Sequence, residues 1–185
     1  MPAGGQWSAA VKLTSKPSGG YRPQVAVGPG DMLHALYYDR ADDGDIIRHR
    51  TSVGGVNWTS PAQLGHDQDR NWGPDLVARS DGSVVVVYDH ALEDFSSQGF
   101  HTTWRNGTWT RPVPLTPGGA GEEVGSGHVA HGLGETLAYV FIGKKMSPEH
   151  HFQARYRWFD GNQWSETHSL TDGKVDAWHT NVERR

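Results

Sequence analysis

The chain has 185 residues, among them 24 Gly, 10 Pro and 8 Trp, and it contains no Cys. This length fits one ordinary domain, and the lack of Cys excludes disulfides, thiolate metal sites and a cysteine nucleophile. The net charge of -4 comes without a basic cluster, which argues against nucleic acid as a partner.

Four segments of the chain share a Trp, then Ser or Thr, then a Leu six residues after the Trp. GTWTRPVPLT at 107–116 is one of them. The four tryptophans are Trp7, Trp58, Trp109 and Trp164, at intervals of 51, 51 and 55 residues. A nearly fixed period of about 50 residues predicts an array of similar structural units.

The same signals follow each Trp segment in the same order. In the first unit, a short apolar run at 24–27 leads through a Gly-bearing turn into a more apolar run at 32–38. A polar loop then precedes a third, alternating strand at 46–50, and a tight turn leads into the next Trp strand. The matching runs are 75–78, 83–88 and 99–105 in the second unit and 128–131, 136–142 and 152–159 in the third.

Four strands per unit and no helical periodicity predict an all-β protein. Four-stranded antiparallel units of this period are typical of β-propeller blades, in which the most apolar strand is buried on both faces. We expect one partial propeller domain spanning 1–185, about three and a half blades. Its blade-like units are predicted at 14–64, 65–115 and 116–170, with end strands at 5–13 and 177–183.

One turn carries a family resemblance. TSVGGVNW at 51–58 is similar to the Asp-box turn, Ser/Thr-x-Asp-x-Gly-x-Thr-Trp, of sialidase-like (BNR-repeat) propellers. Thr51, Gly55 and Trp58 match the box, whereas Val53 stands where the box has Asp. The resemblance implies that these turns are structural and lie on the face opposite the active site.

Three blades are too few to close a ring, because related propellers have six or seven. An open arc would expose apolar sheet faces and strand edges to water. We therefore expect homodimerisation, in which two chains of three blades form a six-bladed ring about a two-fold axis. The alternative is a truncated or library-derived fragment of a longer propeller, and the two interpretations are compatible.

Two sets of loops open onto the same face of the expected blades: the connection into each first strand and the loop after each second strand. They are richer in Arg, His, Asp, Glu, Tyr and Trp than the opposite turns, and function commonly lies on such loops. The first set is 14–23, 65–75, 116–127 and 171–181, and the second is 37–45, 88–99 and 143–151.

An arginine in the first of these loops has a counterpart in the resembled family. Tyr21-Arg22-Pro23 resembles the Phe-Arg-Ile-Pro segment of bacterial sialidases, which implies that Arg22 binds a substrate carboxylate. Arg70 lies in the equivalent loop one unit later. The planar guanidinium fork suits this task, although both arginines could equally be solvated or paired with Asp39 and Asp89. A complete sialidase set of residues is not found in the sequence.

Two carboxylates follow the most apolar strands. Tyr38-Asp39-Arg40-Ala41 aligns with Tyr88-Asp89-His90-Ala91, and Phe141-Ile142-Gly143 replaces this segment in the third unit. Partial burial would raise the pKa of such a carboxyl and a neighbouring Arg would lower it, which suits acid–base chemistry. The alternative is that each Asp caps a turn.

The remaining candidates are aromatic and titratable residues on the same face. We assign proton transfer to Tyr21, His90 or His179, assisted by Asp39, Asp89 or Glu93. Trp72, Tyr21 and Trp178 could stack on a sugar ring, and Tyr38 and Asn71 are further substrate-binding candidates. The tryptophans that recur with the fold are instead expected to pack in the core or between blades.

A divalent metal is a further hypothesis. His90, His150 and His151 could bind zinc, manganese or calcium if the fold brings them together. No spacing in the sequence demands a metal, and scattered histidines are commonly surface or hydrogen-bonded residues.

Three functions remain open, because a fold alone does not decide between them. The first is a sialidase-like glycan enzyme, a hydrolase or lyase acting on an acidic polysaccharide. The second is a metal-dependent hydrolase of small esters, of the lactone or phosphotriester type. The third is a non-catalytic carbohydrate-binding propeller.

No membrane partner is expected, since no window approaches 18 apolar residues, and the lack of a visible signal peptide leaves the localisation open.

Overall fold

The computed structural model describes residues 9–14, 20–41, 44–65, 70–94, 96–118, 122–145, 151–180 and 182. Over these ranges the chain forms antiparallel strands and one short 3-10 turn, Pro29–Asp31. No helix in the described part is long and apolar enough to cross a membrane. The predicted all-β class is confirmed.

The strands form three sheets that follow one another along the chain. The first sheet contains β1 (Gly20–Val27), β2 (Met32–Ala41), β3 (Gly44–Val53), β4 (Asn57–Trp58) and β5 (Ala62–Leu64). The second contains β6 (Asn71–Ala78), β7 (Val84–Ala91), β8 (Ser97–Arg105), β9 (Thr108–Trp109) and β10 (Val113–Pro114). The third contains β11 (Glu122–His131), β12 (Leu137–Lys145), β13 (Gln153–Phe159) and β14 (His168–Ser169).

Each sheet has the predicted strand order, with the fourth strand in two short pieces. In the first sheet both β4 and β5 pair with β3, and in the second both β9 and β10 pair with β8. In the third sheet an isolated bridge between Phe159 and Trp164 takes the place of the first piece. The segments around Trp58, Trp109 and Trp164 therefore lie at the outer edge of their sheets, as the repeat predicts.

The second strand of the middle sheet is buried on both faces, as expected. Val84, Val86 and Tyr88 pack against the first sheet, whereas Val85 and Val87 pack against the third. Alternating side chains of a strand point to opposite faces, so one run of apolar residues fills two cores. Two of the recurring tryptophans pack between sheets as predicted: Trp109 contacts the first core and Trp164 the second. Trp7 lies outside the described residues.

The three sheets do not close into a ring. The predicted end strand at 5–13 is described only from residue 9, and residues 9–14 are not in a strand. Residues 177–180, in the other predicted end strand, also run as irregular chain. These segments still contact the outer sheets, because the Tyr37 hydroxyl donates to the Leu13 carbonyl and the Thr180 hydroxyl to the Ser126 carbonyl.

A bulge recurs at the same place in all three sheets. The register between the first and second strands shifts between Tyr21 and Gln24, between Trp72 and Asp75, and between Gly125 and His128. The partners directly before the shift are Tyr21 with Tyr38, Trp72 with Asp89, and Gly125 with Ile142. Tyr38, Asp89 and Ile142 are therefore structurally equivalent, which corrects the alignment of Asp39 with Asp89 by one residue.

Candidate functional site

The candidate site lies at the end of the sheets where the second strands finish. Asp39 and Asp89 are near the ends of β2 and β7. The turn that resembles an Asp box lies at the opposite end, where Gly55 approaches Leu33 near the start of β2. This arrangement separates the structural turns from the charged loops.

The recurring bulges place residues with left-handed backbone conformation at this end of the molecule. The first residue of each bulge has a positive φ: 45° at Arg22, 60° at Gly73 and 53° at Ser126. Left-handed backbone is costly for residues other than Gly, and bulges beside functional sites often aim a side chain. Here the first bulge aims Arg22, and Gly73 in the second bulge leaves room for it.

Asp89 lies among the three bulges and is fully buried. Burial raises the pKa of its carboxyl to about 8, against the opposing effects of the Gly127 amide, the Arg22 guanidinium and the Ser126 amide. Although these amides are near, neither carboxyl oxygen has a hydrogen-bond partner of good geometry among the described residues. A buried carboxyl without partners is held in its neutral form at neutral pH.

Tyr139 of β12 is the other buried polar group at this place. Its hydroxyl has no hydrogen-bond partner in the described chain, and burial together with the nearby Asp89 raises its pKa. Glycines make room for the ring: a Cβ at Gly99 would lie 2.5 Å from the Tyr139 hydroxyl oxygen, and one at Gly127 would lie 2.8 Å from it.

A cavity of about 170 Å³ opens beside the buried Asp89, at the junction of the second and third sheets. Its lining combines aromatic and apolar residues with polar and charged ones, as is typical of small-molecule sites. The residues that give it this character are Arg22, Trp72, Ser97, Glu123, Ser126 and Phe152.

Asp39 does not share this environment, which corrects its predicted equivalence to Asp89. It accepts a hydrogen bond from Arg48 at 3.3 Å and lies on the same face of the first sheet as Tyr37. Because successive side chains of a strand alternate, this face points away from the second sheet. Asp39 is a paired carboxylate outside the cavity.

The other predicted residues of the second sheet are dispersed. The His90 ring nitrogen lies 3.1 Å from the Asn71 side-chain oxygen, and the His90 ring meets Phe100 edge-on. Asn71 is buried, whereas Arg70 and Glu93 are exposed. His90 points to the opposite face from Asp89, so these two neighbours cannot act on one ligand from within the strand.

The predicted aromatic residues are only partly brought together. Trp72 lines the cavity beside Arg22. Tyr21 stacks on Tyr38 with ring centroids 5.5 Å apart, on the first sheet. Trp178 is 62 % exposed and lies against Phe152, and the neighbouring His179 is exposed.

The described part of the chain contains no cluster of side chains that would support the predicted metal site. There, no group of three or more His, Asp or Glu side chains could hold a metal ion. His151 is exposed, with its Nδ1 3.4 Å from Asp176. His150 lies outside the described residues.

Glu123, Phe152 and Tyr139 were not predicted from the sequence, since their place beside the cavity depends on the third sheet folding against the second. One signal was available for the alignment of the carboxylates. Trp58 and Trp109 are 51 residues apart, and the same interval pairs Tyr38 with Asp89.

The sequence matches no protein-family model and no curated protein. Several solved structures share its fold. An α-L-arabinanase from Penicillium chrysogenum, complexed with arabinobiose, aligns with a TM-score of 0.63 at 16% identity over 84% of this chain and 52% of its own. A polysaccharide lyase, PL25 ulvan lyase, aligns with a TM-score of 0.64 at 11% identity over 85% and 45%.

An endo-arabinase from Bacteroides thetaiotaomicron aligns with a TM-score of 0.58 at 12% identity over 86% of this chain and 66% of its own. At these identities the likeness shows the fold alone: an all-β, propeller-type arrangement of antiparallel sheets. The chain spans about half the length of the first two structures.

Proposed function

We propose that the protein is a glycan-acting enzyme, a hydrolase or lyase whose substrate carries an acidic group. The observation that carries this proposal is the cavity beside Asp89, with the guanidinium of Arg22 and the indole of Trp72 on its walls. A planar guanidinium suits a carboxylate or sulfate, and an indole face suits the C–H groups of a sugar ring.

A proton donor or acceptor is also present at the cavity. Glu123 lines it and lies 3.7 Å from Lys144. In this proposal Glu123 exchanges a proton with the bound sugar, while Arg22 neutralises the acidic group. A sialidase-like role of Arg22, in which it binds a substrate carboxylate, is part of this proposal. It is supported by the Tyr21-Arg22-Pro23 segment.

The test is a screen of the purified chain against polygalacturonate, a sulfated polysaccharide and neutral arabinan. New reducing ends report hydrolysis, and ultraviolet absorbance of unsaturated sugars reports elimination. We expect turnover of an acidic polymer, reduced about 30-fold or more in Arg22→Ala because a charge-assisted contact is lost. Arg111→Ala, at an exposed arginine beyond β9, is the matched control. Full activity in Arg22→Ala would reject the proposed site.

A non-catalytic carbohydrate-binding role is the second candidate. It is favoured by the complete burial of Asp89 and by the pairing of Asp39 with Arg48, which leave few carboxyl groups facing a ligand. Binding of an acidic oligosaccharide without turnover, weakened in Arg22→Ala, would support this function over catalysis.

We also propose self-association through the outer faces of the arc. Val25 and Val27 on the outer face of the first sheet are 66% and 62% exposed, and Trp158 on the outer face of the third is 51% exposed. Large exposed apolar groups favour burial against another surface. Light scattering at micromolar concentration should give the mass of a dimer, and a monodisperse 20 kDa species would contradict this.

A further inference from the structure

Arg22 lies between the carboxyl of Asp89 and the cavity, and either one can place an anion beside its guanidinium. Gly73 brings the two protein groups together, because a Cβ built on it would lie 3.1 Å from Asp89 Oδ2 and 3.6 Å from Arg22 Nη1. Arg22 also lines the cavity, together with Trp72. Arg22 itself is exposed, so its guanidinium is accessible to a ligand while it remains beside Asp89.

The charged form of Asp89 has few other groups to stabilise it. The titratable groups that face its carboxyl are Arg22 from β1 and Tyr139 from β12, and the amides of Ser126 and Gly127 approach from β11. Among the described residues no hydrogen bond of good geometry reaches either carboxyl oxygen. When this carboxyl ionises, the nearest counter-charge is therefore Arg22.

We propose that Asp89 is a proton-controlled counter-ion of Arg22: while neutral it leaves the guanidinium free for the acidic group of a glycan in the cavity, and when ionised it competes with that group. This inference rests on the proposed function, since it takes an acidic glycan as the ligand. Asp89 acts here through Arg22 and does not contact the ligand.

The direction of the pH effect follows from burial. Because burial raises the pKa of Asp89 to about 8, the carboxyl is mainly neutral at pH 6.5 and mainly ionised at pH 9. Affinity for an acidic sugar should therefore fall as the pH rises through this range. A neutral sugar has no charge to compete for Arg22, and its affinity should not change in this way.

The first part of the experiment measures how ionisation of Asp89 affects the stability of the protein in the absence of a ligand. A carboxyl whose pKa is higher in the folded than in the unfolded state stabilises the fold below about pH 4, and this stabilisation is lost as the pH rises through about 8. The melting temperature of wild type should therefore fall relative to that of Asp89→Asn across this range. Asp31→Asn, at an exposed carboxylate in the turn before β2, should track wild type.

The second part measures binding of trigalacturonate and of its methyl ester by calorimetry at pH 6.5 and pH 9. Wild type should bind the acid about fivefold or more weakly at pH 9, as expected for competition by a nearby like charge. Asp89→Asn should bind with the same affinity at both pH values. Arg22→Gln should bind the acid weakly at both and the ester unchanged.

The outcomes separate this inference from the proposed function. Affinity of wild type that does not change with pH, or a fall that persists in Asp89→Asn, overturns the counter-ion role while leaving a glycan site. Absence of binding to either ligand at every pH overturns the proposed function and this inference with it. If Asp89→Asn does not fold, the pH dependence of acid binding in wild type and in Arg22→Gln still tests the counter-ion role. A wild-type affinity that does not change with pH overturns it.

Discussion

The junction between the first and second sheets and the junction between the second and third sheets contrast in composition. At the first junction, the stacked rings of His34 and His49 meet Trp104 and Trp109 of the second sheet, the last at a centroid distance of 5.0 Å from His49. The two imidazoles are buried, and their Nδ1 and Nε2 atoms lie 3.1 Å apart.

The second junction is fastened by hydrogen bonds. The Ser97 hydroxyl exchanges bonds of 2.7 Å with both the carbonyl and the amide of Val124. The Val129 amide donates to the Asp75 carboxylate at 3.0 Å. At the turns, Arg79 pairs with Glu135 at 2.7 Å.

This contrast shows how the wall of the candidate cavity is held in place. Ser97 and Val124 both line the cavity, so the hydrogen bonds that fasten the second junction also fix its wall. The first junction instead depends on two stacked imidazoles packed against indoles, whereas the second has one such imidazole, His101 beside Trp164, whose pKa burial and Arg157 lower to about 4. We therefore expect acid to act on both junctions, and expect the loss of hydrogen bonds to weaken the second.

The largest effect is expected from deleting a tryptophan at the first junction. Trp109→Ala removes the indole that packs on His49 and the first core, and should lower the free energy of unfolding by about 3 kcal/mol. Urea denaturation measures this loss. Trp158→Ala, at a half-exposed tryptophan, is the matched control, and an equal loss in both variants would contradict the packing role.

Acid should act on the same junction. Burial and the nearby His34 lower the pKa of His49 to about 4. His49 is therefore protonated at a lower pH in the folded state than in the unfolded state. Stability is then complete above about pH 6.5 and is lost as the pH falls towards 4, by up to ~3 kcal/mol. His49→Gln should flatten the stability profile over this range. A profile as steep as that of wild type would count against this assignment.

A smaller loss is expected when the second junction loses its central hydrogen bonds. Ser97→Ala leaves the buried amide and carbonyl of Val124 without the hydroxyl, which should cost about 2 kcal/mol. Ser80→Ala, at an exposed hydroxyl of the same junction, is the control. Thermal unfolding that ranks Ser97→Ala level with Ser80→Ala would show that the bonds at Val124 are not important.

The smallest effect is expected at the exposed turns. Glu135→Gln removes the ion pair with Arg79, and because the glutamate is exposed to solvent, the loss of stability should be smaller than that in Ser97→Ala. The loss should shrink further in high salt. A loss in chemical denaturation as large as that of Ser97→Ala would mean that this pair stabilises the junction more strongly than a surface ion pair does.

The sequence alone was sufficient to predict the repeated sheets, the order of strands within them and the packing of Trp109 and Trp164 between sheets. These features follow from local patterns: apolar runs such as 83–88, Gly-bearing turns, and an aromatic residue repeated at a nearly fixed interval. Each pattern is contained within one unit, so it could be recognised before the units were placed side by side. Arg22 and Trp72 were both assigned to the charged loop face from the sequence, since their loops recur with the same period, and both line the cavity.

Which carboxyl is buried beside Arg22 could be identified only from the folded structure. Tyr38-Asp39 and Tyr88-Asp89 look equivalent in the sequence, but the bulge register pairs Asp89 with Trp72, whereas Tyr38 takes that place in the first sheet. A shift of one residue in a strand moves a side chain to the opposite face, which pairs Asp39 with Arg48 and buries Asp89 beside Arg22. Burial, and with it the raised pKa of Asp89, arises from the third sheet and cannot be read from residues of the second alone.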